Sequence, residues 1–175
     1  MEERRKEAGA LAMGIALLPP LWAVAAPWLG IHTGSVALIC AGVYAANGNK
    51  KEDGWRICAG FLCGDVWACL ALLLMGHLNW NENLELFAVL CVLGGLAVLA
   101  ASRLEQYIFL PSWLCGWAVG LTIMTQETLT QDWTVPFQIA AAMLAGVWYV
   151  GAGVDLFGKF LLKNKEMAKE REDGN

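Results

Sequence analysis

Residues 55–78 read Trp55-Arg-Ile-Cys-Ala-Gly-Phe-Leu-Cys-Gly-Asp-Val-Trp-Ala-Cys-Leu-Ala-Leu-Leu-Leu-Met-Gly-His-Leu78. Between Arg56 and His77 the one charged residue is Asp65, and no apolar–polar alternation marks out a wet face and a dry one. A helix of ~20 such residues rises ~1.5 Å per residue and covers the ~30 Å of hydrocarbon in a bilayer. The stretch predicts a membrane-crossing helix, and the rest of the chain follows its pattern. Of the 175 residues, 58% are hydrophobic and 16% charged. Soluble domains carry roughly 25% charged residues.

Working outward, the apolar runs predict an all-α protein with about six transmembrane helices. They lie at about Ala8–Leu29, Ile31–Ala46, Trp55–Leu78, Leu84–Ser102, Tyr107–Thr125 and Val135–Leu162. Polar breaks fall at Asn47–Gly54, Asn79–Asn83 and Gln126–Thr134, with Gly30 marking the tight first connection. The basic start Met1-Glu-Glu-Arg-Arg-Lys6 before an apolar run resembles a signal peptide. Pro19-Pro20 interrupts that run, so it reads as a retained first helix. Residues 1–162 form one membrane domain, and residues 163–175 a charged tail.

Lys and Arg supply a separate test, because they played no part in finding the spans. Arg4, Arg5 and Lys6 precede the first helix, and Lys50, Lys51 and Arg56 lie between the second and third. Arg103 lies between the fourth and fifth, and Lys159, Lys163, Lys165, Lys169 and Arg171 close the chain. With six crossings, every basic residue falls on one side, which the positive-inside rule makes cytoplasmic, both termini included. Trp28, Trp55, Trp80 and Trp133 fall at predicted span ends, where indole is stable between headgroup and acyl chain.

Arg56-Ile-Cys-Ala-Gly-Phe-Leu-Cys-Gly-Asp-Val-Trp67 resembles Gln138-Ile-Ala-Ala-Ala-Met-Leu-Ala-Gly-Val-Trp148, one residue shorter. Two triplets of helices would have opposite orientations, with Trp67 and Trp148 at matching depths from opposite faces. Short or broken spans at matching places in inverted halves point to a transporter site. Chance recurrence of Ala, Gly, Leu and Trp is the competing reading.

Asp65 is the sharpest chemical signal, since a midplane carboxylate costs ~2.5–3.5 kcal/mol on the insertion scale and should face a cavity or partner. It is either a proton or cation site or a neutral Asp that fixes helix packing. Asp155 and Lys159, four apart, read as a surface ion pair. His32 and His77 fall at the predicted outer face among Glu82, Glu85, Glu127 and Asp132, and could respond to external acid. The bland alternative is that loops free of Lys and Arg simply keep their acids. Pro19, Pro20 and Pro111 are candidate hinges, the first two expected to kink or split their helix. Gly60 with Gly64, and Gly116 with Gly120, give small-residue faces for close helix packing.

The six cysteines all sit in apolar runs without a Cys-x-x-Cys pair, and read as packing residues rather than a disulfide or metal framework. No triad, metalloprotease motif or phosphate loop is present, so neither an enzyme nor a cofactor is expected. No basic stripe interleaved with aromatics suggests nucleic acid.

The chain resembles the YcdZ-like bacterial inner-membrane proteins, grouped as domain of unknown function 1097. The resemblance spans about residues 17–160 and rests on Leu21-Trp22, Val43-Tyr44-Ala45-Ala46, Gly64-Asp65-Val66-Trp67, Leu110-Pro111-Ser112-Trp113 with Cys115-Gly116, and Leu144-Ala145-Gly146. It implies a location in the bacterial inner membrane and no residue roles; a small uncharged residue stands in a family member where Asp65 stands here. The expectation is a homo-oligomeric small-solute or ion transporter with Asp65, Trp67 and Trp148 along its pathway, the solute unspecified. The alternative is a membrane scaffold whose tail binds a cytoplasmic partner.

Overall fold

The computed structural model describes residues 2–78 and 80–173, and the side chains of residues 8–78, 80–164 and 167. The side chains of Arg4, Arg5, Lys6, Lys165, Lys169 and Arg171, and the loop residue Asn79, lie outside the described residues. Within them every regular element is helical. Helix α1 runs Glu2–Ala25 and ends in a 3-10 turn, Ala26–Leu29; α2 is Val36–Ala46, α3 Gly54–Leu78, α4 Glu82–Arg103 and α5 Leu110–Ile123. Then come α6 at Gln126–Gln131 and α7 at Thr134–Ala145, which passes through a π-helical stretch, Gly146–Ala152, into α8 at Gly153–Asp173.

Four helical segments are long and apolar enough to cross a bilayer: Ala8–Leu29, Lys51–Leu78, Glu82–Arg103 and Thr134–Asn164. The chain is a multi-pass membrane protein. The second and fifth of the expected helices are shorter than the apolar runs that predict them: α2 and α5 have only 11 and 14 residues, about 16 and 21 Å of helix. Local chemistry shortens both. Gly30 takes the left-handed conformation, φ 75°, and residues 31–35 form a turn before α2 begins. Phe109 is extended, and Pro111 sits in the first turn of α5, where its missing N–H leaves no bond unmade. Pro111 therefore starts a helix instead of interrupting one.

Two further expectations change. Pro19 and Pro20 do not split α1, which stays helical through both. The polar stretch after α5 is not simply a loop: the Thr125 hydroxyl accepts the Thr128 amide at 3.1 Å and caps the short helix α6. The predicted tail continues as helix to Asp173.

Small residues set the packing. Helices α3 and α5 run parallel: Gly60 lies against Ser112, Gly64 against Gly116 and Trp117, and Ala68 against Gly120. α2 runs parallel to the π-helical stretch, with Gly146 on Ala37 and Cys40 and Gly151 on Tyr44. α1 runs antiparallel to α8, with Gly14 on Val154 and Ala10 on Gly158. Tyr44, Ile57, Phe61, Ile139, Met143 and Val147 are fully buried where these pairs meet. Trp28, Trp55, Trp80 and Trp133 are all exposed, as interfacial indoles should be.

Candidate functional site

The α3–α5 crossing is built from a four-residue repetition on both helices, Gly60, Gly64 and Ala68 facing Ser112, Gly116 and Gly120. Residues four apart share a helix face, so each set forms a flat strip on which the other backbone can lie. The approach is close enough that a methyl group on Gly64 would collide with the Trp113 carbonyl oxygen and the Trp117 amide. The Ser112 hydroxyl donates to the Phe109 carbonyl oxygen at 2.8 Å and is fully buried.

Asp65 follows Gly64 and is carried to the flank of this crossing, where it is 5% exposed. A methyl group on Gly120 would stand 3.7 Å from its Oδ1, so the carboxyl lies beside the α5 backbone. Oδ1 is buried and has no hydrogen-bond partner among the described residues. On α5 the indole Nε1 groups of Trp113 and Trp117 are also buried without an acceptor. One acceptor and two donors are thus withdrawn from solvent around α5 and left unmatched. Each such group costs about 1–3 kcal/mol when nothing meets it. Glu85, in the first turn of α4, is another: it is buried and its Oε1 lacks a partner.

Trp67 borders the crossing. Its Nε1 donates to the Leu93 carbonyl oxygen at 3.0 Å, and its ring meets Trp113 edge-on with centroids 5.1 Å apart at 88°. Trp148 lies elsewhere, against Gly54 and the Trp55 ring at 5.2 Å. His32 and His77 are exposed side chains, on the turn before α2 and in the last turn of α3. The His32 amide donates to Gln138 Oε1 at 3.2 Å. Asp155 and Lys159 form the expected ion pair at 2.8 Å, with the ammonium much the more exposed. Among the described residues no three His, Cys, Asp or Glu side chains are grouped to hold a metal.

Sequence reading singled out Asp65 and both glycine pairs, but not Glu85, Ser112, Trp113 or Trp117. Glu85 was placed with the exposed acids of the outer face. A signal for the tryptophans existed in their spacing, since residues 113 and 117 are four apart and point the same way.

The family model described as "Protein of unknown function (DUF1097)" matches residues 12–159. No curated protein and no solved structure matches the chain.

Proposed function

The chain belongs to the DUF1097 family, whose function is unknown, and from that premise we propose that it is a small-solute or ion transporter in which Asp65 binds the coupling proton or cation. The observation that carries this reading is the buried Asp65 carboxyl with an unpartnered Oδ1. In hydrocarbon a carboxylate with no donor or cation is costly, so the group favours taking up a proton or small cation. Proton or cation occupancy changes the charge beside a helix pair that is in backbone contact. Closely packed contacts switch between discrete arrangements more readily than they compress, which would let the two states favour different arrangements of α3 and α5.

Six crossings, with both termini on the cytoplasmic face of the bacterial inner membrane, belong to the same reading. The parallel run of α3 and α5, with α4 between them, supports two passes in one direction and one return. Short α2 and α5 then cross with one face packed on the longer helices, Ala37, Cys40 and Tyr44 on α2 and Ser112, Gly116 and Gly120 on α5 being buried. Inverted halves are supported by two matching contacts: Gly64 of α3 meets α5, and Gly146 of the π-helical stretch meets α2, each glycine against the short helix of the other half. Ile57 and Ile139, and Phe61 and Met143, which align in the two halves, are all fully buried.

The test is flux of a solute and proton panel in proteoliposomes, wild type against Asp65→Asn. Proton-coupled flux lost in the variant supports the reading. Flux unchanged by the substitution removes Asp65 from it, and absence of flux for every solute removes transport. Reporter fusions at Lys50 and Lys163 check the crossings, with both expected on one face.

A further inference from the structure

Helix α1 is the least enclosed of the four long segments: 11% of its apolar window is buried, against 50% for the segments containing α3 and α8. It leans on α8 through Gly14 and Ala10 and reaches the turn before α2 through Trp22, whose Nε1 donates to the Gly34 carbonyl oxygen at 3.1 Å, and three adjoining cavities lie along the rest of its α2 side. The first, of about 430 Å³, is bordered by Leu11, Asn49, Asp155 and Lys159. The second, also about 430 Å³, shares Leu11, Asn49 and Val154 with the first and continues over Gly42 and Ala45 to Pro19 and Leu38. The third, about 530 Å³, shares Ile15, Pro19, Leu38 and Val150 with the second and ends at Trp22 and Gly34.

The three form one groove with a polar mouth and an apolar body. Along α1 it runs from the level of Ala8 to that of Ala23, about 22 Å of helix. That exceeds the ~15 Å depth of one leaflet's hydrocarbon. Gly42 keeps its floor low, since a side chain there would meet open space. The Pro19 and Pro20 rings line its deeper part, and as prolines they leave the carbonyls one turn earlier without an amide donor.

At the mouth Asp155 and Lys159 stand side by side, 2.8 Å apart, with opposite charges that sum to zero. We infer that this groove holds a glycerophospholipid with a phosphate–ammonium headgroup, its tail along α1 and α2 and its headgroup at the Asp155–Lys159 pair. Lys159 offers a donor to the phosphate, and Asp155 accepts from the primary ammonium of a phosphoethanolamine head. A headgroup with a net negative charge satisfies the cation and leaves the carboxylate opposed. A trimethylated ammonium lacks the N–H that Asp155 would accept. The groove is separate from the α3–α5 crossing, so this inference stands or falls apart from the transport reading.

The experiment uses the full chain in vesicles doped with a phosphatidylethanolamine carrying a photoreactive group on its acyl chain. Label is expected on residues 11–19 and 38–45 and not on the exposed α4 residues Phe87 and Leu99. Unlabelled phosphatidylethanolamine should displace it about tenfold better than phosphatidylcholine or phosphatidylglycerol, the ratio expected for one charge-assisted hydrogen bond. Gly42→Leu fills the floor and should remove the label while leaving the helical spectrum and elution volume unchanged. Asp155→Asn removes the carboxylate on which both discriminations rest, so it should keep the label and lose the headgroup preference; it serves even where Gly42→Leu fails to fold. Label spread evenly over α1 and α4, or equal displacement by the three lipids, overturns the inference. So does capture of a second copy of the chain across the groove in place of lipid.

Discussion

Gly116 on α5 lies so close to Phe61 on α3 that a methyl group there would stand 2.6 Å from the Phe61 carbonyl oxygen. Backbone cannot move aside as the end of a flexible side chain can, so no bulkier residue fits without separating the helices. Gly116→Leu is expected to lower stability by about 3 kcal/mol, read from the midpoint of unfolding in mixed detergent. Gly95→Ala on α4 is the control. A methyl group there meets nothing within 4 Å, and alanine's better helix propensity should leave stability equal or raise it by up to about 1 kcal/mol.

The same argument applies to the second parallel pair. A methyl group on Gly146 would stand 2.7 Å from the Ala37 Cα, and one on Gly151 2.8 Å from the Tyr44 ring. Gly146→Ala and Gly64→Ala should therefore each cost about 1–3 kcal/mol. Similar losses in the two variants would fit halves that are built alike. A Gly146→Ala protein as stable as wild type would show that the π-helical stretch gives way where α3 does not.

Asp65 separates stability from activity. Asparagine keeps the shape of the side chain but cannot ionise, and Oδ1 has no partner to lose. Asp65→Asn should thus unfold within about 1 kcal/mol of wild type while losing proton-coupled flux. A variant that loses flux together with its fold would assign Asp65 to packing.

Arg56 ties the start of α3 to the link between α4 and α5. Its Nη1 donates to Asp53 Oδ1 at 2.6 Å, its Nε donates to the Glu105 carbonyl oxygen at 3.1 Å, and the Arg56 carbonyl oxygen accepts from the Phe109 amide at 3.2 Å. Lysine, with one nitrogen, cannot span both partners. Because the pair is partly exposed, Arg56→Lys should cost no more than about 1 kcal/mol. The clearer readout is faster proteolysis at Glu105–Tyr107.

Acid should act on the start of α7. The Thr134 hydroxyl and amide both donate to Asp132 and hold its carboxyl below the usual carboxylate range, the amide at 2.9 Å. A depressed carboxyl pKa adds stability that is present above the unfolded value of about 3.9 and lost as pH falls through the folded value. Protection of the Thr134 amide, taken relative to its intrinsic exchange rate at each pH, should be unchanged from pH 7 to 5 and fall only in stronger acid. Asp132→Asn should flatten that dependence.

Helix class and membrane residence were legible because they depend on sums over neighbouring residues. Any window like residues 57–76 is apolar whatever it later touches, and hydrocarbon forces its amides to bond within the helix. The glycine strips were legible for the same reason, since a spacing of four is local. What each strip would meet was not. Gly64 could have served a second copy, and only the register of two helices separated by α4 brings it onto Gly116 and Trp117. The exact ends of α2 and α5, at Val36–Ala46 and Leu110–Ile123, and the burial of Glu85 also escaped, since both depend on where the chain turns. Composition selected the solvent of this protein. Which polar groups are stranded beside which backbone, and where α1 leaves a gap against α2, was decided by long-range packing, which no window of sequence contains.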